Sequence, residues 1–367
     1  MSMAATRPQR PGSAPRRRMW RSPLLWLGIT VSLASLWWAF RDVDLREVAL
    51  QVARAHWGLL LGISLPTQVA AVHLRALRWR HLTDPIAPIG TGPLFRATAV
   101  GFMANNLFPL RLGEILRAWY LARETGTDAP AILATVLLER VIDTVTFLLM
   151  AALLFSAMGA RGGPSTEMLV LGLPALLLAA VLPLAAMVAL RIAPDRAVAV
   201  AGWFGRFVLP AGAVERLQAL LRRFSEGLGS IKGGVHLFWI ALHSILIWFV
   251  FSMLPFAAAI WAMDIDLGSL ERTLEASYAT LVAVGLAVSL PSAPGFFGLY
   301  HTACRIALGL FGVPWDQAVA LGTVAHLTFW VSMIALGLVC LRFGRTSFEA
   351  VTEAASEGGQ VESEDRR

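Results

Sequence analysis

The chain has 367 residues, of which 57% are hydrophobic and only 15% are charged, and its mean hydropathy is +0.65. A soluble globular protein could not bury that much apolar surface, so the composition predicts a membrane protein. The net charge of +7 comes from cations that lie beside hydrophobic stretches rather than in one basic domain, which argues against a nucleic-acid-binding protein.

Six segments are long and apolar enough to cross a hydrocarbon core about 30 Å thick, for which a helix needs roughly 20 residues. In chain order they are 24–40, 57–77, 129–158, 168–190, 237–263 and 318–341. Residues 1–22 are basic and rich in Pro, and residues 346–367 are polar and acidic. Both ends are therefore expected to be disordered tails around one membrane domain of residues 23–345.

Two further apolar regions are interrupted by polar or helix-breaking motifs. Region 94–122 contains "GFMANNLFPLRLGEILRAWYL", and region 277–311 contains "PSAPGFFG". Each half has about 14 to 16 residues, or about 21 to 24 Å of helix, which is too short to cross. The predicted fold class is therefore an all-α polytopic membrane protein with about six to eight transmembrane helices and two broken or re-entrant helical hairpins. Paired interruptions of this kind also occur in inverted repeats, with the transport site near the bilayer midplane.

The positions of Arg and Lys in the connections predict the orientation. The start of the chain, the connection near residues 78–96, the long 191–236 loop and the exit near residue 342 are basic, whereas 263–275 is mostly acidic. Both termini are therefore expected in the cytoplasm, in an inner or plasma membrane. Six spans with two re-entrant hairpins satisfy this pattern, and so do eight spans if region 277–311 crosses twice. In the re-entrant arrangement the tips at 109–114 and 291–298 enter from opposite faces and meet.

The two interrupted motifs resemble the signatures of the transmembrane region of lysylphosphatidylglycerol synthases, a flippase-like domain. The matching positions are Asn105, Pro109, Arg111, Gly113, Glu114 and Arg117 in the first motif and Pro291, Pro294, Gly295 and Gly298 in the second; "RALRW" at 75–79 and "ERVID" at 139–143 also fit. The resemblance covers most of residues 24–345. The family commonly has Gly where Phe296 stands and an acid where His301 stands. Fewer than thirty residues follow Leu341, so the aminoacyl-transferring domain of the full-length synthases, and its activity, are not expected here.

The first motif carries most of the candidate binding chemistry. Arg111 and Glu114 are three residues apart, so an ion pair between them could orient the guanidinium for a lipid phosphate, which it matches bidentately. The alternative is a structural pair that neutralises buried charge. Asn105 and Asn106 precede the helix break, and they could satisfy freed backbone groups or bind a head group.

Segment 129–158 contains charges that are costly inside a membrane. Glu139 and Asp143 lie one helical turn apart, with Arg140 three residues before Asp143, and a buried network with Arg111 or Arg117 is the favoured interpretation. A proton-coupling role for either acid is the alternative. Arg75 and Arg78 at the end of the second span are expected to extend to the cytoplasmic interface.

The second motif can contribute mainly backbone groups to a binding site. Pro294, Gly295 and Gly298 could expose amides to an anionic oxygen at the start of the next helix, and a hinge or close helix packing is the equal alternative. His301, one turn beyond Gly298, is a candidate cavity-lining residue. His243, His301 and His326 lie in different segments without metal-ligand spacing, so neither a metal nor another cofactor is predicted. Cys304 and Cys340 are interpreted as packing residues.

Together these patterns predict a membrane protein that binds, and moves between leaflets, an anionic phospholipid or lipid-linked phosphate. No catalytic residue is assigned. The predicted substrate-binding residues are Asn105, Arg111, Glu114, Arg117, Glu139, Arg140, Asp143, Pro294, Gly295, Gly298 and His301. The partner is a membrane lipid and not a nucleic acid. A membrane-embedded enzyme acting on a lipid-linked phosphate or sugar is the alternative, and a scaffold that recruits partners through the 191–236 loop is a third.

Overall fold

The computed structural model describes residues 23–160, 181–182, 185–186, 188–207, 209–229, 233–288, 292–344 and 346–354. All regular structure within these ranges is helical, which confirms the predicted all-α class. Most of the predicted segment 168–190, all of residues 1–22 and 355–367, and Pro291 lie outside the described ranges. Residues 348–354 are helical, and Val351 packs into an apolar core.

The helices are numbered here in chain order. The first half contains α1 (Pro23–Phe40), α2 (Leu45–Arg54), α3 (Trp57–Thr83), α4 (Thr91–Leu107), a 3-10 turn (Pro109–Arg111), α5 (Gly113–Thr125) and α6 (Ala129–Ala160). The second half contains α7 (Pro194–Gly205), α8 (Ala211–Gly229), α9 (Gly233–Ile245), a π-helical segment (Leu246–Phe251), α10 (Leu254–Ala262), α11 (Leu270–Val288), a second 3-10 turn (Pro294–Phe296), α12 (Leu299–Gly309) and α13 (Trp315–Phe343).

Three described segments are long and apolar enough to cross a membrane by length and composition. They are Trp57–Thr83, Gly234–Ala262 and Trp315–Phe343, and a shorter apolar helix covers Trp26–Phe40. These segments coincide with four of the six predicted spans. Helix α6 coincides with a fifth, the predicted segment 129–158. The chain is therefore a multi-pass membrane protein.

Region 94–122 folds as a tight helical hairpin, as its interruption predicts. Helix α4 ends before Pro109, and α5 begins at Gly113 and returns antiparallel to α4. The glycines allow the close approach: a Cβ on Gly101 would lie 2.8 Å from Cβ of Arg117, and a Cβ on Gly113 would lie 2.5 Å from the side-chain oxygen of Asn105. Because both distances are below van der Waals contact, the two halves touch through their backbones.

Region 277–311 is also broken into two packed helices, α11 and α12, joined through the second 3-10 turn. The break depends on left-handed glycines, since Gly295 has a φ of +73° and Gly298 a φ of +86°. Gly298 also lies directly against the backbone of α1, where a Cβ would collide with Ser32 and Leu36. Only glycine satisfies both constraints at residue 298.

The two hairpins occupy opposite ends of the long helices. Two large apolar cores are present: the first surrounds the α4–α5 hairpin and the second surrounds α10, α11 and α12. Helix α13 contributes Met333 and Cys340 to the first core, and Leu321 and Val324 to the second. The two 3-10 turns contact each other between the cores. The prediction that the two tips meet is therefore confirmed.

Candidate functional site

One face of α6 carries two buried carboxylates and an arginine. Glu139 and Asp143 are one turn apart, with exposed fractions of 0% and 5%, and Arg140 lies beside them. The Arg140 guanidinium contacts Glu139 at 3.1 Å and Asp143 at 2.8 Å. The predicted common face and buried network are thus present. An unpaired carboxylate at such a position would be very costly, so its cationic partners must come from neighbouring helices.

Helix α3 supplies two of these partners, contrary to the prediction for Arg75 and Arg78. Both are buried, and Arg78 is 0% exposed. Arg75 contacts Asp143 at 3.1 Å, and Arg78 contacts Asp143 at 2.7 Å and Glu139 at 3.1 Å. The interfacial role was wrong because α3 continues to Thr83, so the two arginines lie within the helix and face the protein interior.

The first hairpin supplies a further arginine. Arg117 of α5 forms a close ion pair with Glu139, and its guanidinium lies 4.1 Å from the ring centroid of Trp79. The Trp79 indole N–H in turn donates to Thr135 at 2.8 Å. The predicted network with Arg117 is therefore formed, and it ties the hairpin to both α3 and α6.

Glu114 does not form the predicted ion pair with Arg111. Its carboxylate lies 3.6 Å from Arg140 and 3.8 Å from Arg117. Within the described part of the chain, Arg111 has no carboxylate within 4 Å, and its Nε is buried without a hydrogen-bond partner. The reason lies in the turn. Arg111 has a left-handed φ of +55° and ends the 3-10 segment, so residues 111 and 114 are not successive positions of one regular helix.

The charges of this cluster do not balance. Five arginines, at positions 75, 78, 111, 117 and 140, face three carboxylates, at positions 114, 139 and 143, which leaves an excess of two positive charges. Excess charge in a buried region is unfavourable unless an anion or water compensates it. The excess therefore makes the cluster suited to an anionic ligand.

A cavity of about 220 Å³ opens beside the cluster. Its polar lining residues include Gln68, Arg75, Asn105, Asn106, Arg111, Glu114 and Arg140. Most of the remaining wall is aromatic or aliphatic and comes from α4, the π-helical segment, α10, α11, α12 and α13. The cavity thus brings an arginine-rich region and an apolar surface together between the two hairpin tips.

The two asparagines of the first tip have different roles. The Asn105 side-chain oxygen accepts a hydrogen bond from the Gly113 backbone N–H at 2.9 Å, so it satisfies a backbone group freed by the helix break. Asn106 donates to the Phe102 carbonyl at 2.8 Å, whereas its side-chain oxygen is buried and has no hydrogen-bond partner in the described part of the chain. Both asparagines line the cavity, and Asn106 retains an acceptor for a ligand donor.

The π-helical segment brings an aromatic residue into the cluster. The Trp248 indole N–H donates to Asp143 at 3.0 Å, and the Arg75 guanidinium lies 4.8 Å from the Trp248 ring centroid. An extra residue per turn rotates the following side chains, and π-helical turns occur frequently at functional sites. The sequence pattern did not reveal Trp248, because local irregularity of this kind has no composition signal.

The second tip contributes a side chain that the sequence analysis did not assign to the site. Phe296 lines the cavity in a left-handed conformation, with a φ of +60°. A positive φ is a conformation that glycine adopts without strain, as expected for a position where the family resemblance has glycine. Pro294, Gly295 and Gly298 are not among the lining residues. The Gly295 carbonyl instead lies 2.7 Å from Nε2 of His326, and Gly298 packs on α1, which fits the packing alternative.

His301 is buried and is not among the residues that line the cavity. It contacts the rings of Phe40 and His326, at centroid distances of 5.4 Å each. The preceding residue, Tyr300, lines the cavity and stacks on His326 at 4.5 Å. The register of α12 thus directs residue 300, and not residue 301, toward the cavity.

Of the eleven predicted site residues, Asn105, Arg111, Glu114 and Arg140 line the cavity. Arg117, Glu139 and Asp143 form the ion network behind it. Asn106, for which head-group binding was one of two expectations, also lines the cavity, whereas the sequence analysis missed Gln68, Arg75, Trp248, Phe296 and Tyr300 as lining residues. For Arg75 a signal was available, since two intramembrane acids require more cationic partners than one hairpin supplies.

Comparison with known proteins gives one family and one distant relative. The family model for the lysylphosphatidylglycerol synthase TM region matches residues 25–337. Among curated proteins, the chain is similar to "Glycosyltransferase AglD" of Haloferax volcanii, with 25% identity over 322 residues. That match covers 79% of this chain and 49% of the relative, so the chain spans about half the length of the curated relative it matches. No solved structure matches.

The family match includes both hairpins and every charged residue of the cluster. It agrees with the resemblance carried by the Pro109–Arg111 turn, by Gly113 and Glu114, and by the glycines of the second tip. The chain therefore belongs to the lysylphosphatidylglycerol synthase transmembrane region family.

Proposed function

We propose that this membrane protein binds the phosphate of an anionic phospholipid or polyprenyl phosphate in the cavity between its two hairpin tips and moves the lipid between leaflets. One observation carries the proposal: Arg111 lines the cavity without a carboxylate within 4 Å among the described residues. A guanidinium in this setting matches phosphate oxygens bidentately. Membership of the lysylphosphatidylglycerol synthase transmembrane region family supports a lipid ligand.

The charge of the cluster supports a phosphate rather than a neutral ligand. The excess of two positive charges would be reduced by a bound phosphate. The phosphodiester of a phospholipid carries one negative charge, and a polyprenyl monophosphate carries between one and two near neutral pH. Arg75 and Arg140 also line the cavity, but both already contact Asp143. Of the three cavity-lining arginines, Arg111 can therefore bind an entering ligand at the least cost to the ion network.

The size and lining of the cavity suit a head group. A volume of about 220 Å³ is smaller than the pockets of roughly 300–1,000 Å³ that enclose drug-sized ligands. The apolar wall can contact the glycerol or first isoprenoid carbons, while the remaining chains stay in the bilayer and need no polar partner. In this arrangement Arg111 binds phosphate and Asn106 accepts a hydrogen bond from a head-group hydroxyl or amine.

The protein should accelerate leaflet exchange when it is reconstituted into vesicles that contain a fluorescent anionic phospholipid. Dithionite quenching from outside measures the fraction of probe that becomes accessible. Arg111→Gln, which keeps a polar side chain but removes the charge, should abolish the acceleration. Arg123→Gln is the matched control, because Arg123 is an exposed arginine of the same hairpin that contacts Trp119.

The outcomes distinguish binding from loss of folding. Both variants should retain the thermal unfolding temperature of the parent protein, since Arg111 makes no ion pair that its replacement would break. If Arg111→Gln exchanges lipid at the parental rate for anionic phospholipid and polyprenyl phosphate probes alike, the proposed binding role is incorrect.

A membrane-embedded enzyme acting on a lipid-linked phosphate or sugar is a second candidate function, favoured by one observation. Glu114 lines the same cavity, and its Oε2 has no hydrogen-bond partner among the described residues, the Arg117 guanidinium being 3.8 Å away, so this oxygen can act as a general acid or base. The relative named as a glycosyltransferase fits this candidate. Two results together would favour the enzyme. Detergent-purified protein would turn over a polyprenyl-phosphate-linked sugar, with the turnover abolished in Glu114→Gln, and the reconstituted protein would show no leaflet exchange.

A further inference from the structure

A second cluster of polar side chains lies where the end of α3 meets the start of α9. It consists of His81 and Asp84 from the end of α3 and His236 from the first turn of α9. One donor atom from each residue lies within 4.8 Å of the other two. The His81 and His236 rings are 5.5 Å apart between centroids and nearly perpendicular. Three residues from two helices thus converge on one point.

One imidazole of the cluster has a ring nitrogen without a partner. Nδ1 of His81 is buried and has no hydrogen-bond partner among the described residues. A third histidine, His243, lies 5.8 Å from His81 between ring centroids. Nδ1 of His243 lies 2.6 Å from the Trp239 carbonyl, so it carries the proton and Nε2 carries the lone pair.

The types of donor select the metal class. Two imidazoles and one carboxylate suit Zn²⁺ and related transition-metal ions, whereas Mg²⁺ and Ca²⁺ prefer ligands that are all oxygen. In a tetrahedral zinc site with bond lengths of about 2.0–2.1 Å, donor atoms are about 3.3 Å apart. The observed limit of 4.8 Å therefore requires donor atoms to approach by up to about 1.5 Å, a movement that the exposed Asp84 side chain can share. Its existing ion pair with Arg80 is long, at 3.9 Å.

We infer that His81, Asp84 and His236 form a binding site for a divalent transition-metal ion of the zinc class. The ion would join the end of α3 to the start of α9. These helices already contact each other through Arg78, which donates to Ser244 at 2.9 Å. The site is separate from the lipid cavity, because none of its three residues lines that cavity. The inference does not depend on the proposed lipid function.

The test uses the full-length protein purified in detergent through a tag that contains no histidine. The protein is stripped with EDTA, and zinc binding is measured by competition with a fluorescent chelator and by elemental analysis. The parent protein should bind one Zn²⁺ per chain, and its unfolding temperature should rise with zinc. Loss of a residue that only supports a metal ligand typically weakens metal binding 10–100-fold. Loss of a ligand itself should cost at least the upper end of that range, so His81→Ala and His236→Ala should each weaken zinc binding at least 100-fold. Asp84→Asn should weaken it at least tenfold.

His73→Ala is the matched control, since His73 is an exposed histidine of the same helix that contacts Phe95. It should bind zinc like the parent. Equal unfolding temperatures of all variants in EDTA would establish that they fold. The inference is overturned if the parent shows no saturable zinc binding at micromolar concentration, or if His81→Ala and His236→Ala bind zinc as tightly as His73→Ala.

Discussion

Glu139→Gln should be strongly destabilising, because Glu139 is the centre of the buried ion network. Its carboxylate contacts Arg78 and Arg140 at 3.1 Å each and forms a further close ion pair with Arg117. The side chain is 0% exposed, so water cannot replace these partners. Glutamine keeps the size of the side chain, removes its charge and replaces one acceptor oxygen by an N–H donor. The substitution therefore removes both the charge and one acceptor that face the arginines.

The magnitude follows from the charges that remain. Loss of the carboxylate raises the excess of the cluster from two positive charges to three, and Arg117 then has only Glu114 at 3.8 Å as an ion-pair partner among the described residues. Removing one partner from a buried ion pair typically costs about 3–5 kcal/mol, because the other charge stays buried and uncompensated. The expected loss of unfolding free energy for Glu139→Gln is therefore about 3–5 kcal/mol, a large part of the total stability of a typical domain.

The assay is reversible unfolding in mixed micelles, with Asp195→Asn as the control. Asp195 pairs with Arg222 at 3.4 Å, but both side chains are highly exposed, so the control should change the unfolding free energy by less than about 1 kcal/mol. A loss below about 1 kcal/mol for Glu139→Gln would refute the reasoning, since it would mean that water or rearrangement compensates the three arginines.

Three further variants test the hairpin packing, the end of α1 and the strained turns. Gly113→Ala should destabilise the protein by about 1–3 kcal/mol in thermal or denaturant unfolding, because the new Cβ would collide with the Gly101 carbonyl. Gly62→Ala is the control and should not destabilise the protein, because its Cβ would meet nothing within 4 Å. Arg305→Met should cost about 2–4 kcal/mol, because it removes the donor to three carbonyls at the end of α1, and an unchanged unfolding temperature would contradict this. Phe296→Gly should be more stable than Phe296→Ala by about 1 kcal/mol, because only glycine adopts a positive φ without strain. Equal stabilities of the two variants would exclude backbone strain at residue 296.

The positions of the helix breaks were predictable because their causes are local. Pro109 lacks a backbone N–H, and Gly113 permits the backbone contact that closes the hairpin, so the sequence itself marks the first tip. The same holds for the left-handed glycines 295 and 298 in the second tip. The meeting of the two tips followed from their expected entry from opposite sides.

The partners of the buried acids were only partly predictable, because the contacts connect distant parts of the chain. Glu139 and Asp143 were expected to need arginines, but Arg75 and Arg78 lie more than sixty residues earlier in the sequence. Hydropathy placed the end of their helix at residue 77, although α3 continues to Thr83. A boundary error of a few residues was enough to place two interior arginines at the membrane interface.

Side-chain direction in irregular segments was not predictable. The π-helical turn that brings Trp248 to Asp143 and the left-handed conformation of Phe296 leave no trace in composition or periodicity. The sequence also did not reveal that the register of α12 directs Tyr300, and not His301, toward the cavity. His81 and His236 are separated by more than 150 residues, so their proximity also required the tertiary structure.

The most direct test of phosphate-lipid binding at Arg111 is native mass spectrometry of the protein with its co-purified lipids. The parent protein and Arg123→Gln should each retain an anionic phospholipid or polyprenyl phosphate that resists delipidating detergent. Arg111→Gln should lose that adduct while it keeps the parental unfolding temperature. The proposal would be contradicted if Arg111→Gln retained the same anionic lipid at equal occupancy. It would also be contradicted if the parent protein carried only zwitterionic and neutral lipids.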